Sequence, residues 1–143
     1  MKHVAVGILL HDGLVLACQR KKTVRYPLKW EFPGGKIEQG ETARQALVRE
    51  LKEELDIDAR PDSTLLTHDW TYPDTHPDHE EAERTFRITY FIVHQFSGQP
   101  VNRTFEEIRW VTPVELQAMD VLAGNHQAIE LLIQQRRRDG SPL

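Results

Sequence analysis

Three glutamates, Glu50, Glu53 and Glu54, sit where a helix turning roughly 100° per residue brings them onto one face. Carboxylates packed so closely repel one another. The arrangement makes physical sense if a hard divalent cation sits among them, and Mg²⁺ prefers oxygen ligands. Such an ion also holds phosphate oxygens and lowers the pKa of bound water, giving a nucleophile near neutral pH. Just upstream, Gly34-Gly35 has no side chain to keep a backbone carbonyl away from the same ion. The plainer alternative is a solvated acidic face, with Arg49 and Lys52 as partial counter-charges.

The elements that must position these groups are legible nearby. Thr42 and Gln45 form a capping-box pattern, so a helix begins near Ala43. Ala43, Ala46, Leu47, Leu51 and Leu55 recur at helical spacing and give it a buried stripe, and Pro61 prevents its continuation. Before it, His3 to Leu10 and Leu14 to Arg20 read as strands joined at Asp12-Gly13, a hairpin signal because both residues tolerate positive φ. Trp30 to Phe32 is a short strand, ended by Pro33 and the Gly34-Gly35 turn. Ser63 to Tyr72 and Thr85 to Phe96 read as further strands, and Ile108 to Val111 as a short one. A short helix covers Pro113 to Met119. The last helix runs from about His126 to Arg138, with Asn125 as its cap and Ile129, Leu132 and Ile133 as its apolar face. Arg136, Arg137 and Arg138 suit its negative pole. Strands on both sides of one central helix, with a second helix at the end, indicate an α+β or mixed-sheet sandwich rather than a dinucleotide-binding alternation.

At 143 residues the chain fits one domain, 1–143, with a real core. A net charge of −4 argues against a polymeric nucleic acid as main partner, although a local basic patch suffices for a small polyphosphate. The run Val4 to Leu10 is too short to cross a membrane, and Cys18 is the only cysteine. A cytoplasmic protein without a membrane partner is expected.

The spacing from Gly35 onward resembles the Nudix box, Gly-x5-Glu-x7-Arg-Glu-(aliphatic)-x-Glu-Glu-x-Gly-(aliphatic). Gly35, Glu41, Arg49, Glu50, Leu51, Glu53, Glu54 and Ile57 match it. The departure is Asp56, where the family has glycine; Asp tolerates left-handed backbone better than most residues, so a small cost in stability is expected. The resemblance implies an α/β/α sandwich with a mixed β-sheet between helices, and hydrolysis of a nucleoside diphosphate linked to another group. It implies metal ligands at Glu50, Glu53, Glu54 and the Gly34 carbonyl, with Mg²⁺ as cofactor and Mn²⁺ as a substitute. Arg49 would orient the glutamates, and Glu41 would support the loop or reach a metal through water. The general base varies in the family: Glu50, Glu53, Glu106 and Glu107 are candidates, with Glu107 preferred to Glu106 as a further acidic ligand.

Trp30-Glu31-Phe32-Pro33-Gly34-Gly35-Lys36-Ile37-Glu38 is similar to the MutT branch, which removes pyrophosphate from oxidised guanine nucleotides. On that resemblance the chain is a nucleoside triphosphate pyrophosphohydrolase, a monomer or homodimer, with 8-oxo-dGTP or a related nucleotide-pool sanitation substrate. Arg20 then meets a phosphate, or is a hairpin-end surface charge; Phe32 lines the base pocket, or is core. Asn125 aligns with the asparagine that reads the base, and an amide suits a guanine edge; its helix cap is the preferred role, and the two are compatible. Other substrates in view are CTP or dCTP and ADP-ribose or a nucleotide sugar, and a non-catalytic nucleotide sensor is the rival from another class. Between Pro73 and Glu83, His76 and His79 with Asp74 and Asp78 raise a second metal site, against the preferred reading of a mobile solvated loop that gates the pocket.

Overall fold

The computed structural model describes residues 1–73 and 84–140, so the His- and Asp-bearing stretch from Asp74 to Glu83 lies outside the described residues. Strands β1 (Lys2–His11) and β2 (Leu14–Gln19) form the expected hairpin. Asp12 and Gly13 between them have φ of 51° and 78°, as a type I′ turn requires. There follow β3 (Trp30–Glu31), β4 (Gly34–Lys36), α1 (Ala43–Leu55), β5 (Asp58–Arg60), β6 (Thr64–Thr71), β7 (Thr85–Val93), β8 (Gln95–Ser97) and β9 (Glu107–Val111). The chain closes with α2 (Pro113–Gln117), a 3-10 turn (Ala123–Asn125) and α3 (His126–Asp139).

The sheet is mixed and centres on β1. One edge of β1 pairs parallel with β7 from Lys2↔Phe86 to Leu9↔Val93, and β6 adds antiparallel beyond it. The other edge is shared: Val4 to Val6 pair with β4, whereas Leu10 and His11 pair with β2. Strand β2 carries β3 and β9 in turn.

Alternation along β1 divides the core in two. Val6, Ile8 and Leu10 face α3, packing with Ala128, Ile129, Leu132 and Ile133. Ala5 and Leu9 face α1, packing with Ala46, Leu47, Leu51 and Leu55. Burial on both faces explains why β1 reads as a continuous apolar run rather than an alternating one. The α/β/α sandwich and its mixed sheet are as expected.

Helix α1 begins where the capping box places it. Thr42 accepts from the Gln45 amide at 3.1 Å, and the Gln45 side chain accepts from the Thr42 amide at 2.9 Å. It ends at Asp56, which has φ 56° and ψ 39° and donates its amide to the Lys52 carbonyl. The Asp56 carboxylate is met by Lys52 at 3.2 Å and Arg103 at 3.1 Å, contacts a glycine lacks and that offset the left-handed cost.

Two details differ from the sequence expectation, and one adds to it. Gly34-Gly35 belongs to a strand, β4, since its backbone is captured by β1. Thr85 to Phe96 is two strands, because the His94 amide leaves the ladder to donate to the Asp62 carboxylate at 3.0 Å, and β8 pairs instead with β5, a three-residue strand too short to show periodicity. Arg136, in the last turn of α3 with Arg137 and Arg138 as expected, is also 9% exposed and donates to the Gly13 carbonyl at 2.8 Å, tying the helix to the hairpin.

Candidate active site

One cavity of about 600 Å³ opens between the sheet and the loops at the β3–β4 end. Val4, Val6, Ile88 and Tyr90 form its floor, and Phe32, Leu122 and Asn125 one wall. Gly34, Gly35 and Glu54 border it from the α1 side. Lys2, Arg20, Lys21, Arg25, Lys36 and Arg84 also line it, against Glu31 and Glu54. Apolar floor and cationic surround suit a molecule with a flat ring and several negative charges.

The acidic face of α1 is divided by Arg49. Its guanidinium donates to both Glu41 oxygens at 2.8 and 2.9 Å, to Glu50 at 2.9 Å and to the Lys36 carbonyl at 3.0 Å. Hydrogen bonding from Arg49, and next from the Glu38 amide, holds the Glu41 carboxyl down at about 2. Glu54 points the other way, into the cavity, and accepts from the Gly34 amide at 3.0 Å. Burial, and then the neighbouring Glu50 carboxylate, push its pKa up to about 8. Gly35 permits this arrangement, since a Cβ there would run into the Glu50 carboxylate.

Glu53 does not join them: it is 59% exposed and leans back toward Arg49 at 3.5 Å. Among the described residues no three His, Cys, Asp or Glu side chains converge closely enough to hold a metal ion. The expected set of Glu50, Glu53, Glu54 and Glu107 is therefore not assembled. What is assembled, Glu50 beside Glu54 with no cationic side chain on Glu54 among the described residues, fits a hard cation that binds one or two carboxylates and takes its other ligands from water and phosphate, as Mg²⁺ does.

Glu107 is not brought to the cavity. It stands on β9 opposite Gln19 and is held by Arg109 at 2.7 and 2.8 Å, because residues two apart on a strand share a face. Glu106 is exposed and its amide donates to the Gln19 carbonyl at 2.9 Å. Neither borders the cavity; Thr104 and Phe105 do.

Arg20, Phe32 and Asn125, far apart in sequence, meet at the cavity. Arg20 is no free surface charge: its Nη1 donates to both Glu31 oxygens at 3.2 and 3.3 Å and its Nε to the Arg25 carbonyl at 2.8 Å. Burial raises the Glu31 pKa, and Arg20 opposes the rise. Phe32 is 4% exposed and packs edge-on against Tyr90 with centroids 6.3 Å apart, so it is core and cavity wall at once. The cap reading of Asn125 is overturned. Its φ of −90° and ψ of −12° are helical and it makes no capping hydrogen bond, because the 3-10 turn runs straight into α3. Its Nδ2 donates to the Leu122 carbonyl at 3.1 Å, and its Oδ1 lies 3.3 Å from the Tyr90 hydroxyl.

Sequence reasoning missed Glu31, Tyr72 and Tyr90. Glu31 had a signal, a carboxylate between two buried aromatics; the tyrosines had none beyond β propensity.

The chain is similar to known proteins along most of its length. A family model for the NUDIX domain matches residues 1–138. The 8-oxo-dGTP diphosphatase of Escherichia coli (strain K12) is 32% identical over 130 residues, 90% of this chain and 94% of that one. The CTP pyrophosphohydrolase of the same organism is 33% identical over 115 residues, covering 80% and 78%. The solution structure of the E. coli ORF135 protein superposes with a TM-score of 0.80 at 29% identity, covering 95% of this chain and 91% of that one. On box, fold and kinship together, the chain belongs to the NUDIX family.

Proposed function

We propose that this protein is a Mg²⁺-dependent pyrophosphohydrolase that converts a nucleoside triphosphate, 8-oxo-dGTP or a close relative, to the monophosphate and pyrophosphate. It is a Nudix hydrolase, and a small nucleotide is its substrate class. The observation that carries the finer reading is the meeting of Asn125, Phe32 and Arg20 on one cavity that Glu54 also borders. A base seated on Phe32 and facing Asn125 directs its phosphates toward the cationic side and the α1 glutamates.

Asn125 offers an amide, a donor beside an acceptor. Unmodified guanine presents two acceptors, O6 and N7, on its outer edge. Oxidation at C8 turns N7 into an N–H donor, leaving an acceptor beside a donor, which complements the amide. Arg20 is held by Glu31 and steadies the phosphates as a fixed charge. Glu50 and Glu54 hold the cation, the Gly34 carbonyl being the expected backbone ligand, and Arg49 with Glu41 fixes where Glu50 stands. When bound, Mg²⁺ offsets charge on the phosphates and makes water a better nucleophile. Glu53, exposed between Arg49 and solvent, is the preferred base, with Glu50 the alternative; the ion pair with Arg109 argues against Glu107.

A single domain over 1–143 is supported by the family match to residue 138. No helix among the described residues is long and apolar enough to cross a membrane; a cytoplasmic site of action is proposed from the lone, buried Cys18 and the nucleotide substrate. The similarity to a CTP pyrophosphohydrolase supports CTP as the second reading. Product analysis with Mg²⁺ on 8-oxo-dGTP, dGTP, CTP and ADP-ribose separates these. Pyrophosphate released fastest from 8-oxo-dGTP supports the first reading, a CTP preference the second, and orthophosphate in place of pyrophosphate would sink both.

A further inference from the structure

Resting on the reading of Asn125 as the base contact, we infer that Tyr90 and Tyr72 are positioning residues that lock the Asn125 amide in one orientation and thereby set discrimination between bases. Their hydroxyls grip the peptide units on both sides of Gly124. Tyr72 Oη accepts from the Gly124 amide at 3.0 Å. Tyr90 Oη donates to the Gly124 carbonyl at 2.9 Å and lies 3.3 Å from Asn125 Oδ1. The two tyrosines come from the sheet side, Tyr90 on β7 and Tyr72 just past β6, while the segment they hold is the turn leading into α3.

The orientation follows from the partners. The Leu122 carbonyl only accepts, so the end of the Asn125 amide facing it at 3.1 Å is the nitrogen. The oxygen end then faces the Tyr90 hydroxyl, whose single proton is shared between the Gly124 carbonyl at 2.9 Å and this oxygen at 3.3 Å. Burial pushes both phenols up, Tyr72 to about 12, so each keeps its proton at any working pH. The Leu122 carbonyl occupies one N–H of Asn125, and the Tyr90 hydroxyl faces one side of its oxygen. One N–H and one lone pair remain, on a residue that borders the cavity. Held this way round, the amide accepts from a base donor on one side and donates to a base acceptor on the other. An amide free to turn over would present the reverse pattern as readily and lose its preference. Tyr72 is braced in turn by Tyr26, whose ring centroid lies 5.1 Å away and whose hydroxyl donates to the Pro73 carbonyl at 2.9 Å.

The test compares kcat/KM for 8-oxo-dGTP and dGTP, with Mg²⁺, in wild type, Tyr90→Phe, Tyr72→Phe, Asn125→Ala and Tyr90→Phe/Asn125→Ala. Tyr90→Phe keeps the ring and its packing on Phe32. It is expected to lower the 8-oxo-dGTP to dGTP ratio about tenfold, the scale of one hydrogen bond, mainly through a higher KM for 8-oxo-dGTP. Tyr72→Phe is expected to lower it about threefold, since it acts one residue further away. In the Asn125→Ala background Tyr90→Phe should change the ratio no further. A collapsed ratio in Asn125→Ala with an unchanged ratio in both tyrosine variants overturns the clamp and leaves the base reading standing. A wild-type ratio near one, or an unchanged ratio in Asn125→Ala, overturns the base reading and the clamp with it. Urea melts establish that each variant is folded; if Tyr90→Phe is not, Tyr72→Phe, outside the buried strand, carries the same test.

Discussion

Arg49 and Glu41 are joined by two parallel hydrogen bonds, Nε to Oε2 at 2.8 Å and Nη2 to Oε1 at 2.9 Å. The same guanidinium reaches Glu50 and the Lys36 carbonyl, so one planar group fixes helix, loop and strand together. A lysine supplies charge but not the fork. Arg49→Lys is therefore expected to lower kcat about tenfold or more, by letting Glu50 drift, while the protein stays folded. Steady-state kinetics beside a thermal melt check this; a wild-type kcat in the lysine variant would show that charge alone is needed.

The same pair gives a pH dependence. Glu41 ionises at about 2 in the folded protein, below the ordinary glutamate value of about 4.3. Its contribution to stability is thus fully present above that unfolded value and fades as pH falls from about 4.3 toward about 2. Glu41→Gln should remove this part of the acid-induced loss. Urea melts from pH 7 to pH 2 on both proteins would show a shallower acid slope in the variant, and identical slopes would contradict the assignment.

Gly35→Ala tests how closely the strand and helix must approach. The added Cβ meets the Glu50 carboxylate, and Glu50 has to leave its place between Arg49 and the β4 backbone. Moving a reactive group by about 1 Å commonly costs about a hundredfold in rate, so kcat should fall on that scale. Since the displaced group is a side-chain end, the melting temperature should change little. A hundredfold loss accompanied by unfolding would instead make Gly35 a folding residue.

How much of this was legible beforehand depended on whether the information was local. Helix α1 announces itself through Thr42, Gln45 and an apolar stripe, all within one segment, and even the irregular Asp56 ending followed from what a short polar side chain tolerates. Convergence of Arg20, Phe32 and Asn125 came from resemblance and not from spacing, because it is made by β2 pairing with β3 and by a bridge from Trp30 to Val121, across some ninety residues. Asn125 as a cap failed since a preceding 3-10 turn, set by the Leu122 carbonyl, already made its backbone helical. Glu107 stands apart from the other glutamates because the strand read from Ile108 begins one residue earlier, which puts Glu107 and Arg109 on one face as an ion pair. The tyrosine clamp was invisible: nothing in Tyr72 or Tyr90 as residues says that both hydroxyls end on Gly124.

Glu53 and Glu54 make the sharpest contrast, being neighbours in sequence with opposite surroundings. Glu54 is buried against Gly34 and the cavity, whereas Glu53 is largely exposed. Glu53→Gln should abolish turnover, as expected for a proton acceptor, with no change in the melting temperature and with Mg²⁺-dependent stabilisation retained. Glu54→Gln keeps an oxygen for the Gly34 amide but removes a buried carboxyl whose ionisation burial and Glu50 oppose. The metal-free protein should then melt at the same or a higher temperature, and the extra stability that Mg²⁺ confers on wild type should be lost. Thermal melts with EDTA and with Mg²⁺ on both variants separate the two roles. If Glu53→Gln rather than Glu54→Gln loses the Mg²⁺ increment, the exposed glutamate is the ligand, and the side chain swings inward when the ion binds.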